Sequence, residues 1–127
     1  MRYRYNQQVV PPAPYVHVIV GRADASSILQ PVPALVDSGA DRTVIPIALV
    51  EELALPQAGA IEVAGLNQVS SIMPVYVVRI AIGDLSPAAV DVIGAAGEQY
   101  VLLGRDLLNN FRIILDGPGL LCTIEAP

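Results

Sequence analysis

The stretch that most constrains this chain is Pro33-Ala34-Leu35-Val36-Asp37-Ser38-Gly39-Ala40-Asp41-Arg42-Thr43-Val44-Ile45-Pro46. An apolar run breaks off in Asp-Ser-Gly-Ala, and a second apolar run follows at once. The pattern predicts a strand, a tight loop carrying one carboxylate, and another strand. Gly39 lets the backbone turn sharply and approach another surface closely. Apolar flanks on both sides imply that Asp37 is held by core rather than by a loose surface loop. Asp, Ser and Gly are also ordinary turn formers, so the triplet alone says only "turn"; the longer string carries the argument.

The rest of the chain reads as short strands. Tyr15–Ala25 is a strand by its β-branched content. Ser26–Ala34 reads as a turn and an edge or irregular strand, interrupted by Pro31 and Pro33 and completed by Leu35–Asp37. Thr43–Ile45 is a short strand. In Pro46–Leu55 the period changes: Ile47, Val50 and Leu53 lie three apart and Pro46 suits a first helical turn, which predicts a short helix before Pro56. Ile61–Gly83 reads as a hairpin with its tip near Gly65-Leu66-Asn67-Gln68, and with Tyr76, Val78, Ile80 and Ile82 on one face. A turn at Asp84–Pro87, a strand at Ala88–Ile93 and a small-residue loop at Gly94–Gly97 follow. Tyr100–Leu103 is a buried strand turned by Gly104-Arg105-Asp106. Leu107–Asn110 is a helical turn, Phe111–Leu115 a strand, Asp116–Gly119 a turn and Leu120–Glu125 a last strand. Residues 1–14, with Arg2-Tyr3-Arg4-Tyr5 and Pro11-Pro12-Ala13-Pro14, are an N-terminal tail or an arm that adds to another sheet; residues 15–127 form one domain.

Composition narrows the chemistry. At 127 residues one domain is expected, burying roughly two-thirds of its unfolded surface without disulfides. The apolar fraction of 54% exceeds the usual ~45–50%, which fits apolar surface buried against a partner chain. No window reaches the ~18 unbroken apolar residues of a membrane span, and the N-terminus lacks signal-peptide order. The net charge is −5 and every basic residue is Arg, so nucleic acid is an unsuitable partner. The absence of Lys removes Schiff-base and Ser-Lys mechanisms. The single His17 removes His-rich zinc sites and reads as an exposed strand position. The single Cys122 reads as a buried small residue, and a cytoplasmic location is expected. No glycine spacing matches a phosphate loop. Carboxylates are the remaining catalytic groups, and no cofactor or metal is called for.

The string around Asp37 resembles the active-site motif of the aspartic proteases, most closely the single-domain retroviral-type (retropepsin-like) branch. Leu102-Leu103-Gly104-Arg105-Asp106-Leu107-Leu108 resembles that family's second landmark, an apolar pair plus Gly packing near the catalytic loop. Leu35-Val36-Asp37 and Leu102-Leu103-Gly104 look like matched positions of an internal pseudo-repeat. The resemblance covers about Tyr15 to Glu125. It implies a mainly all-β fold: a retropepsin-like closed barrel of short strands with a flap hairpin and one or two short helices.

Peptide hydrolysis by water needs a base for the water and an acid for the substrate. Two carboxylates sharing one proton do both, because like charges close together cannot both ionise. This chain has one Asp-Ser-Gly and no second lobe, so the resemblance implies a twofold homodimer cleaving a peptide or protein substrate at mildly acidic pH. Position by position it implies Asp37 as the catalytic acid of each chain, Ser38 bonding across the axis, and Gly39 allowing the two loops to meet. It implies Ala40 offering backbone groups to substrate, and Asp41 and Arg105 as a partly buried ion pair beneath the site, costly to break. The tip at Ala64, Gly65 and Leu66 would be the flap, with Leu103, Gly104 and Arg105 supporting the loop. Ala40, Asp41, Arg42, Ala64, Gly65 and Leu66 are expected to bind substrate, and Val69–Met73 and Ala95–Tyr100 to contribute to its pocket.

Several positions depart from the family pattern. The flap tip has one Gly where viral enzymes have several. Arg42 stands where an acid or small polar residue is common, which points to acidic side chains in the substrate. An Arg that viral enzymes carry before the first strand is missing near Ala13-Pro14, and the longer N-terminal arm implies a different dimer strand arrangement. Two other readings stand beside the protease: a non-catalytic peptide-binding or dimerisation module on the same barrel, and an all-β domain whose Asp-Ser-Gly is only a turn.

Overall fold

The computed structural model describes residues 1–24, 30–65 and 67–127. Short β-branched runs cut by Gly and Pro give strands rather than helices. In chain order they are β1 (Arg2–Arg4), β2 (Tyr15–Arg22), β3 (Gln30–Val36), β4 (Val44–Pro46), α1 (Ile47–Glu52), β5 (Gln57–Ala64), β6 (Ser70–Ile82), β7 (Ala88–Ala95), β8 (Val101–Leu103), α2 (Arg105–Leu108), β9 (Arg112–Asp116) and β10 (Leu121–Glu125). The fold is mostly β with two short helices, as the sequence predicts.

Seven strands form one sheet in the order β2-β3-β8-β4-β7-β6-β5. Because β2 also pairs with β6, the first six of these close a hydrogen-bonded circuit and β5 hangs outside it. Alternation along the strands sends every second side chain inward. Val16, Val18 and Val20 of β2, Tyr76, Val78, Ile80 and Ile82 of β6, and Val92, Val101 and Leu103 are all buried in one core cluster. His17, between two of them, is exposed, as its alternation predicts. A second, three-stranded sheet has the order β1-β10-β9. Here Arg2 lies opposite Thr123 and Arg4 opposite Leu121, so the first strand of the N-terminal segment adds to the C-terminal hairpin of its own chain. The terminal ammonium donates to the Ile124 carbonyl at 2.8 Å.

Several boundaries differ from expectation for local reasons. β2 stops at Arg22, where residues 23–24 turn; the first part of the segment expected from Ser26, residues 26–29, lies outside the described residues, and the rest forms β3. β3 is an edge only in its first half, since Ala34–Val36 pair with β8 while the rest pairs with β2 alone. Val36 donates towards β2, to the Pro14 carbonyl at 3.0 Å, so the odd-numbered Pro31 and Pro33 turn their missing donors to the open side, where no ladder bond is lost. The expected helix to Leu55 ends at Glu52. Ala54 adopts a left-handed φ of 52°, and the N–H groups of Ala54 and Leu55 fold back onto the carbonyls of Glu51 and Val50 at 3.1 and 3.0 Å, a Schellman closure with Ala in the usual Gly place. α2 begins two residues earlier than expected because Gly104 caps it: its carbonyl accepts from Leu107 and Leu108 at 3.1 and 3.0 Å.

Cys122 is fully buried on β10, and burial pushes its thiol pKa up. Only the thiolate is an effective nucleophile. The native protein should therefore resist iodoacetamide at pH 8 and become alkylated only once urea unfolds it; rapid labelling without denaturant would contradict this packing.

Candidate active site

Two loops that are far apart in sequence are bound to each other. β3 and β8 run parallel with Leu35 beside Leu102 and Val36 beside Leu103. The pseudo-repeat in the sequence is thus a side-by-side pair in space. Where β3 ends, the Asp37 N–H donates to the Leu103 carbonyl at 3.0 Å. The chain then turns: Ala40 N–H donates to the Asp37 carbonyl at 3.2 Å, and Gly39 N–H donates to Asp37 Oδ1 at 3.0 Å. A Cβ on Gly39 would stand 3.2 Å from that same oxygen. Asp37 is half-buried, while Ser38 and Gly39 are exposed. The Ser38 hydroxyl makes no hydrogen bond within the chain among the described residues.

The loop is strapped from below by residues 104–106. Arg105 N–H donates to the Ala40 carbonyl at 2.9 Å and Asp106 N–H to that of Asp41 at 3.3 Å. The Arg105 guanidinium donates through Nη1 to the Ser38 carbonyl at 2.7 Å and pairs through Nη2 with the Asp41 carboxylate. Gly104 is required here, since a Cβ on it would lie 2.5 Å from the Arg42 carbonyl carbon and 2.9 Å from the Thr43 nitrogen.

Beneath this lies the best-satisfied polar cluster of the site. Thr43 is fully buried. Its hydroxyl donates to Asp106 Oδ1 at 2.7 Å and accepts from Gly104 N–H at 3.1 Å. Its own N–H donates to Asp106 Oδ2 at 3.0 Å, and Leu107 N–H donates to Asp106 Oδ1 at 2.9 Å. One carboxylate thereby takes three donors from both loops, a charge-assisted arrangement stronger than neutral bonds.

A cleft of about 420 Å³ opens beside the loop, lined below by Gly39, Ala40, Asp41, Arg42 and Val44, above by Ile61–Ala64 of β5, and at the back by Ile93. An adjoining, more apolar hollow of about 290 Å³ shares Val44, Val63 and Ile93 and adds Gly65, Val69, Ser71, Met73, Ala95 and Glu98. The β5–β6 hairpin overhangs both. Its tip is closed by Gly65 N–H to the Val69 carbonyl at 2.9 Å and Gln68 N–H to the Gly65 carbonyl at 3.0 Å. Asn67 Oδ1 accepts from Val69 N–H at 3.2 Å, and Gln68 takes the left-handed φ of 62° that a glycine would adopt more readily. Val69 and Ile72 are 61% and 78% exposed. A larger hollow of about 590 Å³ lies on the far side of Asp41 and Arg42, among Val77, Ala89, Val90, Asp91 and Asp106. It is lined neither by Gly39 and Ala40 of the loop tip nor by β5, so the smaller cleft is the better candidate site. Among the described residues no group of three or more His, Cys, Asp and Glu is placed to hold a metal ion, and no helix is long and apolar enough to cross a membrane.

A profile of the family described as "Aspartyl protease" matches residues 20–107, most of the chain and both loops of the site. The chain belongs to the aspartyl protease family. Among solved structures it is similar to a retropepsin-like aspartic protease from Rickettsia conorii, with 16% identity, a TM-score of 0.66, and coverage of 100% of this chain and 91% of that one. It is also similar to the EIAV protease complexed with the inhibitor HBY-793, with 20% identity, a TM-score of 0.59, and coverage of 84% and 92%. No curated protein matches. The fold is that of the retropepsin-like branch of the aspartyl proteases.

The structure brings Asp37, Ser38, Gly39, Ala40, Asp41 and Arg42 together with Leu103, Gly104 and Arg105, and sets Ala64 and Gly65 over the cleft. Leu66 lies outside the described residues. Of the wider pocket expectations, Val69, Ser71, Met73, Ala95 and Glu98 line the adjoining hollow, whereas Gln99 and Tyr100 face hollows elsewhere on the surface. One expectation is corrected. Asp41 and Arg105 do pair, but their side chains are 85% and 43% exposed in the single chain, because Asp41 sits on the outer flank of the loop with only the guanidinium over it. Sequence reasoning missed the cluster of Thr43 and Asp106, and the lining by Val44, Ile61, Val63 and Ile93. The only sequence signal for the cluster was that both polar residues sit inside apolar runs of the two landmarks.

These geometries rank two substitutions. Thr43→Val keeps the shape but strands the Gly104 N–H and one Asp106 bond, and should cost about 1–3 kcal/mol. Asp41→Asn weakens an exposed pair worth at most about 1 kcal/mol. Urea midpoints should fall clearly for the first and little for the second; the reverse order would contradict the assignment of Asp106 as the tie between the loops.

Proposed function

We propose that the protein is a homodimeric aspartic endopeptidase whose active site forms where the Asp37 loops of two chains meet at a twofold axis. The observation that carries the reading is a half-built site. One chain presents a single loop-borne carboxylate beside a peptide-sized cleft, with Ser38 and Gly39 exposed and the Ser38 hydroxyl making no hydrogen bond among the described residues. Of the other carboxylates nearby, Asp106 is bound by three donors and Asp41 pairs with Arg105, while Glu62 lines the cleft from β5 and Glu98 lines the adjoining hollow, neither of them on the two tied loops.

In the dimer the two Asp37 carboxyls share one proton and hold a water between them. The ionised carboxylate takes a proton from the water as its oxygen attacks the peptide carbonyl. The protonated partner gives its proton to the carbonyl oxygen, which yields a neutral gem-diol. On collapse the ionised carboxylate takes one proton from the diol while the protonated carboxyl gives its proton to the departing nitrogen, so the C–N bond breaks and the pair again shares one proton. Gly39 lets the loops approach, Ser38 bonds to the partner loop, and Ala40 offers backbone groups to substrate. The substrate lies extended as an added strand under the β5–β6 hairpin, which closes to exclude water; the exposed Val69 and Ile72 are then covered. Arg42 lines the cleft and makes no ion pair among the described residues, so it suits a substrate carboxylate.

The test is cleavage of a diverse peptide library between about pH 4 and 7, read by mass spectrometry, for the wild type and Asp37→Asn. The variant should fold and dimerise, and should lose at least the 10²–10⁴-fold typical of general acid–base groups. Unchanged cuts in the variant would remove Asp37 from the mechanism. A verified wild-type dimer that cuts nothing would favour a peptide-binding module on the same fold.

A further inference from the structure

We infer that the hollow between the N-terminal arm and the Tyr15–Tyr100 pair is a carboxylate site, and that it takes an acidic side chain of the peptide substrate several residues away from the bond that is cut. The substrate part rests on the peptidase reading above and deepens it.

The hollow measures about 460 Å³, with Arg4, Asn6 and Val9 supplied by the arm and Tyr15, His17 and Tyr100 by the body of the domain. The arm is fixed. Arg4 is held in β1 opposite Leu121. Asn6 N–H donates to the Ala13 carbonyl at 2.8 Å and Ala13 N–H donates back to the Asn6 carbonyl at 3.2 Å, which clips residues 6–13 into a closed loop. The Pro14 carbonyl then accepts from Val36 N–H at 3.0 Å, one residue before Asp37.

The lining suits an anion. Arg4 and His17 are its basic groups, and neither forms an ion pair among the described residues. Asn6 Oδ1 already accepts from Gln8 N–H at 2.9 Å, so the residue has its amide N–H groups to offer. The Tyr15 and Tyr100 rings meet edge to face, 5.0 Å apart. Burial and a hydrogen bond to Tyr100 push the Tyr15 hydroxyl up to about 12, so it keeps its proton and adds no negative charge. No carboxylate lines this hollow, whereas Asp or Glu lines the two hollows under the hairpin and the larger one beyond Asp41. Glu98, near enough to add to the Tyr15 shift, lines the apolar hollow under the hairpin instead. In a chain of net charge −5 this grouping stands out. A carboxylate on a short stem fits it: the Arg4 guanidinium as charged partner, Asn6 and His17 as further donors, and Val9 and Pro33 against the stem.

Strand alternation sets the hollow on the same face as Asp37. Val16 and Ala34 are buried in the core, so Tyr15, His17 and Pro33 point the other way. Leu35 and then Asp37 follow Pro33 in that alternation, and Leu102, beside Leu35, follows Tyr100. Pro33 and Asp37 are ~13 Å apart at ~3.3 Å per residue, so an extended peptide crossing Asp37 reaches the hollow with roughly its third to fifth residue. Arg42 lies beyond Asp37 on the other flank of the loop, in the cleft under β5.

His17 is the one histidine of the chain, so its ring signal in NMR reports on the hollow without any turnover. Extended peptide pairs differing only by Glu or Gln at one position would be titrated into Asp37→Asn, which leaves them uncut. At one position the Glu peptide should shift the His17 signal and bind about tenfold tighter than its Gln twin, the worth of one hydrogen bond to a charged group. Arg4→Gln should erase that ratio, Arg4→Lys should keep part of it, and Arg2→Gln, on the same strand but outside the hollow, should keep it whole. The same Glu-to-Gln ratio should appear in kcat/KM of the wild type and vanish in Arg4→Gln. Benzoate that moves the His17 signal while the Glu and Gln peptides bind alike would overturn the substrate assignment in favour of a free carboxylic acid. A His17 signal silent to both probes, or a Glu preference erased by Arg42→Gln and not by Arg4→Gln, would overturn the site. If peptides are cut without the preference, the site falls and the peptidase reading stands. If the Glu peptide binds at His17 and the wild type cuts nothing, the site stands and the catalytic reading falls.

Discussion

The Asp106 carboxylate is the tie on which the rest depends. It gathers the Thr43 hydroxyl, the Thr43 N–H and the Leu107 N–H, and through Thr43 it fixes Gly104. Without that tie the turn after β3 would be held against the turn after β8 by the exposed bonds of Arg105 and the backbone bonds of Asp37, Arg105 and Asp106 alone, and the Asp41–Arg105 pair is solvent-exposed and weak by comparison. With it, residues 37–41 cannot drift, and Asp37 is aimed by buried structure although it stands on a loop. Positioning of this kind is what a hydrolytic carboxylate needs: small misplacements of reacting groups cost orders of magnitude in rate.

Around that tie the strands divide their tasks. The circuit from β2 to β6 supplies a rigid floor, and β5 with the outer half of β6 supplies a hairpin that stands clear of it. The hairpin makes few core contacts and exposes Val69 and Ile72, the profile of a segment that moves or is covered on binding. In the terminal sheet β9 is paired on one side only, by β10. The proposed dimer would complete the site and would account for the apolar excess in the composition.

Much of this was legible in the sequence. Two apolar runs ending in Asp37 and Gly104 announced matched loops, and β3 and β8 lie in register at those residues. Alternation correctly sorted Tyr76, Val78, Ile80 and Ile82 from His17. Other features could not be read because they depend on which strand lies beside which. Pro31 and Pro33 looked disruptive, yet their missing donors face an open side. Ala54 ended a helix in a conformation usually given to Gly, where no local signal stood. Thr43 and Asp106, 63 residues apart, become a unit only when β3 and β8 pair, and Asp41–Arg105 looked buried because a motif carries no measure of exposure.

The central claim is that one active site needs two chains, and mixing tests it most directly. Wild-type and Asp37→Asn chains would be combined at fixed total concentration, allowed to exchange subunits, and assayed for peptide cleavage across the wild-type fraction. A site built from both Asp37 carboxylates predicts activity falling as the square of that fraction. A linear fall would show that each chain works alone, and would contradict the account.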